Sequence, residues 1–309
     1  MLAYRFEEIN PNLDTIGENI GRTPLLKLNS INKSDLVSIS AKAEWQQFGG
    51  SVKSRPAFNI IREAKLSGNL DNGKAILDAS SGNTAIAYAS IGAKLGIGVT
   101  ICLPENASKS RITLLRALGA RIIFSSPFGG TDEAQEMAKD LAKNKQEEYF
   151  YADQYSNDNN WKAHYHHTAE EIWEQTKGNV THFVCGVGTS GSITGISRKL
   201  KELNPEIKII ALQPDSSMHI IEGWKHLASC KIPEIYDPFV IDEEISISSE
   251  ETIYWLKKAA ITEGLVLSPS SASNLAGTLK VAQQLEEGDI ATLFPDYGDK
   301  YMDFIDEWI

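Results

Sequence analysis

The residue whose setting first suggests chemistry is Lys53, in the stretch Phe48-Gly-Gly-Ser-Val-Lys53-Ser-Arg55. Small residues around it leave space for one amine. The lysine follows an alternating run, 37–45, that reads as a strand, and it opens a run, 56–68, that reads as a helix. A lysine amine at such a junction can act as a nucleophile or a base once it is neutral, so its surroundings are expected to depress its pKa. The plain alternative is a solvated surface charge, because the chain carries 30 lysine and arginine residues.

Three more small-residue loops stand where an apolar run passes into a helix pattern. In Gly188-Thr-Ser-Gly-Ser192 the glycines let the backbone approach an anion, and N–H groups at a helix start stabilise it. Thr189 and Ser192 add hydroxyl donors. The loop lacks the Gly-Lys-Ser/Thr ending of a P-loop. Gly186, Gly188 and Gly191 fit the GxGxxG spacing of a dinucleotide site, but no acidic residue ends the second strand about 20 positions on, where Gln213 closes the run. Phosphate cradle, dinucleotide site and plain turn all stay open. Ser80-Ser-Gly-Asn-Thr84 reads as an N-cap, yet a cap needs one such residue and this loop has several. The excess suggests recognition of a carboxylate by hydroxyls and N–H groups. Pro269-Ser-Ser-Ala-Ser273 is compatible with a cap, or with a hydroxyl offered to a heteroaromatic nitrogen.

Two other chemistries are weaker. Of His164, His166 and His167, only His164 and His167 share a helix face, so a solvated or packing role is expected and no metal site. A Ser-His-Asp hydrolase would need a G-x-S-x-G elbow, which Gly188-Thr-Ser-Gly does not provide.

The elements that must position these loops alternate. Strand patterns at 75–79, 99–103, 121–125 and 149–154 interleave with helix patterns at 57–67, 85–95, 108–118 and 131–145. After a polar stretch, 153–160, which is the candidate domain boundary, strands at 182–186, 208–213 and 290–295 interleave with helices at 161–176, 196–203, 250–263 and 274–285. Residues 215–245 give no clear pattern. Such alternation predicts parallel β-α-β units in both halves, with ligands bound beyond the carboxyl ends of the strands.

Composition bounds the rest. At 309 residues, 42% hydrophobic and 23% charged, the chain has the core of a globular protein of about two domains. A net charge of −11 with dispersed acids argues against nucleic-acid binding. No apolar run approaches the roughly 18 residues of a membrane span. The N-terminal stretch 1–8 lacks the pattern of a signal peptide. Cys102, Cys185 and Cys230 are odd in number and far apart, which fits a reducing, cytoplasmic setting.

Taken in order, Ser-Val-Lys53-x-Arg, Ser81-Gly-Asn-Thr84, Gly186-Val-Gly-Thr-x-Gly-Ser-Ile-Thr-Gly195 and Ser270-Ser271 resemble the cysteine synthase and cystathionine β-synthase family of fold type II pyridoxal-phosphate enzymes. Gly21-Arg-Thr-Pro24, Leu103-Pro-Glu-Asn106, Leu114-Leu-Arg-Ala-Leu-Gly-Ala120 and Glu171-Ile-Trp173 also resemble family segments, and the likeness runs to about Tyr301. It implies two α/β domains, each a mostly parallel twisted sheet flanked by helices, with the cofactor in the cleft between them. The smaller domain would be 44–152, and the larger 1–43 with 153–309. Lys53 would form the imine with pyridoxal 5'-phosphate. Asn83 would bond the ring hydroxyl, Gly188, Thr189, Ser190, Gly191 and Ser192 the phosphate, and Ser270 the pyridine nitrogen. Ser80, Ser81, Gly82, Thr84 and Gln154 would hold the substrate α-carboxylate. The implied reaction is β-replacement on an activated L-serine by a sulfur donor, with Lys53 moving the Cα proton, in a homodimer. The chain departs from the common pattern at Ala85, at Ser268-Pro-Ser-Ser-Ala-Ser273 and at Ile221-Glu-Gly-Trp-Lys-His-Leu227, so it resembles a divergent branch. Lys225 or His226 there could pair with a substrate phosphate or be exposed charge.

Overall fold

The computed structural model describes residues 11–308; residue 309 and residues 1–10, with the stretch read above as lacking a leader, lie outside the described part. In chain order the elements are α1 (Pro11–Glu18), β1 (Leu25–Lys27), β2 (Val37–Ala43), α2 (Ser54–Leu66), β3 (Ala75–Ala79), α3 (Asn83–Leu95), β4 (Val99–Pro104), α4 (Lys109–Ala117), β5 (Arg121–Ser125), α5 (Gly130–Asn144) and β6 (Tyr149–Tyr151). The chain continues with α6 (Asn159–Ala163), a π-helical turn (His164–Thr168), α7 (Ala169–Gln175), β7 (His182–Gly186), α8 (Gly191–Leu203), β8 (Lys208–Pro214), β9 (Glu243–Ile247), α9 (Ser249–Glu263), α10 (Pro269–Ala282), β10 (Gly288–Phe294) and α11 (Met302–Trp308). Among these described residues no helix is long and apolar enough to cross a membrane.

These elements form two compact units. The first holds residues 11–21, 47–49 and 53–159, and the second holds 22–46, 50–52 and 160–308. In the first, four strands pair in the order β5-β4-β3-β6, all parallel. Alternate residues of β3 and β4 face opposite sides. Ile76, Ile101 and Leu103 join Ala85, Ile86 and Ala89 of α3 on one face, where Leu13 and Ile16 of α1 also pack. Leu77, Ala79 and Cys102 meet Ala134 and Ala138 of α5 on the other. Burial on both faces is why these strands read as short unbroken apolar runs. Strand order reverses between β3 and β6, a switch point of the kind where the carboxyl ends of strands leave a crevice. Ser80–Thr84 leaves β3 there and Gln154 leaves β6.

The second unit carries a six-stranded sheet in the order β1-β2-β10-β7-β8-β9. Only β1 runs antiparallel, pairing Leu25 with Lys42. The same alternation builds two cores. Val184, Ile210, Leu212, Ile290 and Phe294 face α10, while Phe183, Cys185, Ile209, Ala211 and Leu293 face α8. Strand β9 lies in the stretch that gave no clear sequence pattern. It is a polar edge strand, largely exposed until Ile247, so it shows no continuous apolar run. The run 161–176, read as one helix, is a helix whose middle turn widens to π.

Candidate active site

In the first unit the sharpest local geometry lies at the β3–β6 switch point. Gln154 is 3% exposed and fixed at both ends. The Thr84 hydroxyl donates to its Oε1 at 2.7 Å, and its Nε2 donates to the Ala79 carbonyl at 3.0 Å. Ser80 Oγ accepts from the N–H of Gly82 at 3.2 Å and of Ala85 at 3.4 Å, shaping the loop that opens α3. Ser80, Ser81, Gly82 and Asn83 are half-buried at that helix start. The tertiary structure thus joins Thr84 and Gln154, which are 70 residues apart in sequence. A ring of hydroxyls and N–H groups at a helix N-terminus is suited to a carboxylate.

Beneath this loop lies a residue that sequence reasoning missed. Asp78 is fully buried in β3, and burial pushes its carboxyl up to about 7. The N–H groups of Ala79, at 2.8 Å, and of Gln154, at 3.4 Å, pull the other way, while the neighbouring Asp153 carboxylate adds to the rise. Inside an apolar strand Asp78 gave no signal beyond being an acid at a core position. Lys53 sits at the N-cap of α2, half-buried, its carbonyl accepting from Ala57 N–H at 3.1 Å. Just before it, Gly49 has φ +84° and a Cβ there would lie 2.6 Å from Ser54 Oγ, so this turn needs glycine.

In the second unit the loop after β7 is held from several sides. Gly186 N–H donates to Asn274 Oδ1 at 2.8 Å, and Asn274 Nδ2 donates to the Leu293 carbonyl at 2.7 Å. A Cβ on Gly188 would stand 2.1 Å from the Gly223 carbonyl oxygen. Ser190 caps α8 with φ 68°, the left-handed conformation, and its buried Oγ has no hydrogen-bond partner. A strained non-glycine residue and an orphaned buried hydroxyl at a helix N-terminus fit a bound phosphate, which would supply the missing acceptor. Thr189 Oγ1 accepts from Asn160 Nδ2 at 3.2 Å, and Ser192 Oγ lies 3.2 Å from His164 Nε2.

Ser270 stands in the first turn of α10, 6% exposed, 3.2 Å from Ser268 Oγ. The cap itself is Ser268, which accepts from Ser271 N–H at 3.2 Å, so Ser270 is not needed for that purpose. The divergent segment 221–227 props the loop after β7. Lys225 N–H donates to the Val187 carbonyl at 2.8 Å, and the Trp224 ring fills the space a Cβ on Gly186 would occupy. His226 is turned to Ser229 Oγ, 2.8 Å from its Nδ1. The histidine cluster disperses: His164 is 1% exposed and bonded to Thr168 and Ser192, while His166 is exposed. Among the described residues no group of three or more His, Cys, Asp and Glu side chains is placed to hold a metal ion.

A family model described as "Pyridoxal-phosphate dependent enzyme" matches residues 16–296. The chain is 41% identical over 296 residues to a cysteine synthase of Aquifex aeolicus, covering 94% of this chain and 90% of that protein. A solved cysteine synthase from Entamoeba histolytica superposes with a TM-score of 0.88 at 32% identity, covering 98% of this chain and 91% of that one. An O-acetylserine-dependent cystathionine β-synthase from Helicobacter pylori gives 0.86 at 33% identity, covering 93% and 96%. The chain therefore belongs to the pyridoxal-phosphate-dependent enzymes, within the group of cysteine synthases and cystathionine β-synthases.

Proposed function

We propose that the protein makes L-cysteine by β-replacement on an activated L-serine, O-acetylserine or O-phosphoserine, with a sulfur nucleophile. The observation that carries this reading is the 41% identity to a cysteine synthase across 94% of the chain. The doubly fixed Gln154 beside a hydroxyl-rich helix start supports it. Pyridoxal phosphate, when bound, supplies the electron sink for a substrate that loses its Cα proton. The chain's residues do the rest. Gly188, Thr189, Ser190, Gly191 and Ser192 hold the phosphate, Asn83 meets the ring hydroxyl and Ser270 the ring nitrogen. Ser80, Ser81, Gly82, Thr84 and Gln154 bind the substrate α-carboxylate and so orient its Cα–H. Lys53 Nζ would hold the cofactor and, once freed from it, would take the Cα proton and return it to the product.

Lys53→Ala tests the assignment. In wild type, borohydride reduction of the cofactor-loaded enzyme should leave a stable adduct on the peptide containing Lys53. An adduct on another lysine, or none, would sink the role given to Lys53. Turnover of Lys53→Ala should fall by at least about 10³-fold, a chemical step being removed.

A second reading keeps the cofactor and changes the nucleophile to homocysteine, giving cystathionine; the Helicobacter pylori likeness favours keeping it in view. Assay of O-acetylserine and O-phosphoserine with sulfide and with homocysteine separates the two. Cysteine from sulfide at a higher kcat/KM than cystathionine from homocysteine is expected, and the reverse order would overturn the proposal. We also place the enzyme in the cytoplasm as a homodimer. Three cysteines, two of them buried and none joined in a disulfide, support a reducing compartment. Sedimentation at twice the 34.0 kDa chain mass would support the dimer, and a monomer at working concentration would rule it out.

A further inference from the structure

Behind the phosphate loop stands a second layer of polar side chains that the proposed reaction does not use. Helix α6 and the π turn pack closely on α8 because Gly191 and Gly195 carry no side chain there. A Cβ on Gly191 would lie 1.9 Å from Asn160 Oδ1, and one on Gly195 would lie 2.1 Å from the Trp161 carbonyl oxygen and 2.9 Å from His164 Cβ. Asn160 and His164, four positions apart, lie on one side of their helix and each reaches one hydroxyl of the loop. Asn160 Nδ2 donates to Thr189 Oγ1 at 3.2 Å, and His164 Nε2 lies 3.2 Å from Ser192 Oγ. Both side chains are almost wholly buried, at 2% and 1% exposure.

We infer that Asn160 and His164 are positioning residues that turn the hydroxyl protons of Thr189 and Ser192 outward, making both hydroxyls donors to the cofactor phosphate. The inference rests on the reading of Gly188–Ser192 as the phosphate cradle. A hydroxyl has one proton to donate and can accept as well. An amide NH2 can only donate, so Thr189 Oγ1 accepts from Asn160 and keeps its own proton for another partner. At Ser192 the imidazole decides. His164 Nδ1 lies 2.9 Å from Thr168 Oγ1, fully buried in the same turn. We take the Thr168 hydroxyl as the donor to Nδ1; the neutral ring then carries its proton on Nε2 and donates to Ser192 Oγ. Ser192 then offers its proton to the phosphate, as Thr189 does. His164 and Thr168 both lie in the π turn, and widened turns of this kind gather at functional sites.

The test separates phosphate recognition from general packing. Full-length enzyme stripped of cofactor is titrated with pyridoxal phosphate and with pyridoxal, which lacks the phosphate. His164→Phe should weaken pyridoxal phosphate by about tenfold, the worth of one charge-assisted hydrogen bond, and leave pyridoxal unchanged. His164→Gln, which keeps an N–H donor, should recover part of the loss. On a Ser192→Ala background, His164→Phe should add little, because its route to the phosphate is already gone. Equal loss for both ligands, or full additivity with Ser192→Ala, overturns the inference. Should His164→Phe not fold, Asn160→Ala measured with and without Thr189→Val carries the same comparison. Wild-type enzyme that binds the two ligands equally would instead refute the phosphate cradle, an outcome distinct from failure of the outer pair alone.

Discussion

Asp78 is an acid in the middle of an apolar strand, and its protonation is set by the place the fold gives it. Its carboxyl is raised from 3.8 to about 7 by full burial. A raised carboxyl pKa means that the folded state holds the proton more tightly than the unfolded chain. No penalty exists below about pH 4; it grows as the unfolded chain ionises and is complete above about pH 7. At that point it amounts to a few kcal/mol, each pKa unit being about 1.4 kcal/mol. Asp78→Asn keeps an oxygen for the Ala79 N–H and removes the charge. Relative to wild type, its melting temperature should therefore rise between pH 4 and pH 7 and level off above; a difference that stays flat from pH 4 to pH 7 would refute the account. Lys42 shows the opposite solution. Fully buried in β2, its Nζ lies 2.7 Å from Glu171 and 2.8 Å from the Thr23 hydroxyl, so its charge is paired inside the second unit. The segments Gly21-Arg-Thr-Pro24 and Glu171-Ile-Trp173, quoted above only as family-like, meet in this pair.

At the scale of elements, the loop after β7 depends on how close its neighbours stand. Gly188 touches the backbone of Gly223, and Gly186 is covered by Trp224, so the segment 221–227 and the loop after β7 are fitted to each other. This is the segment where the chain leaves the common family pattern. The Lys225 N–H, the Gly223 carbonyl and the Trp224 indole all reach the loop from this segment. Gly188→Ala would drive a methyl to 2.1 Å from a carbonyl oxygen, and backbone must move to relieve it. A stability loss of roughly 1–3 kcal/mol is expected from such overpacking. Cofactor affinity should fall at least about tenfold, as measured by equilibrium dialysis, since a shift of one ångström misaims the N–H groups of the cradle. Wild-type affinity in this variant would show that the loop is not held as tightly as the contact implies.

Over the whole molecule, each unit carries its own sheet and its own set of the residues proposed above for cofactor and substrate. The first unit holds Lys53, Ser80–Thr84 and Gln154, and the second holds Gly188–Ser192 and Ser270. A ligand that binds only the folded chain stabilises it by mass action, by about 2.7 kcal/mol at a hundredfold excess over Kd. Thermal melts with pyridoxal phosphate should therefore shift upward by a few degrees, and the shift should shrink in Lys53→Ala. No shift at saturating cofactor would contradict the assignment of these loops.

The alternating strands and helices and the four small-residue loops were legible in the sequence, because turns, caps and apolar runs are local signals that neighbouring residues set. Lys53, Ser80–Thr84 and Gly188–Ser192 all stood out in that way. The polar edge strand Glu243–Ile247 did not, since only its Ile245 and Ile247 turn toward the core and its acidic start is exposed. The partnerships that shape the site were equally invisible. Gln154 meets Thr84 across 70 residues, His164 meets Ser192 across 28, and Asn160 meets Thr189 across 29. His164 read as a surface or packing histidine, and only the close approach of helices across two glycines gave it a partner. Residue type and local spacing determined which groups could do chemistry; burial and long-range contact, which belong to the tertiary structure, decided how each is held.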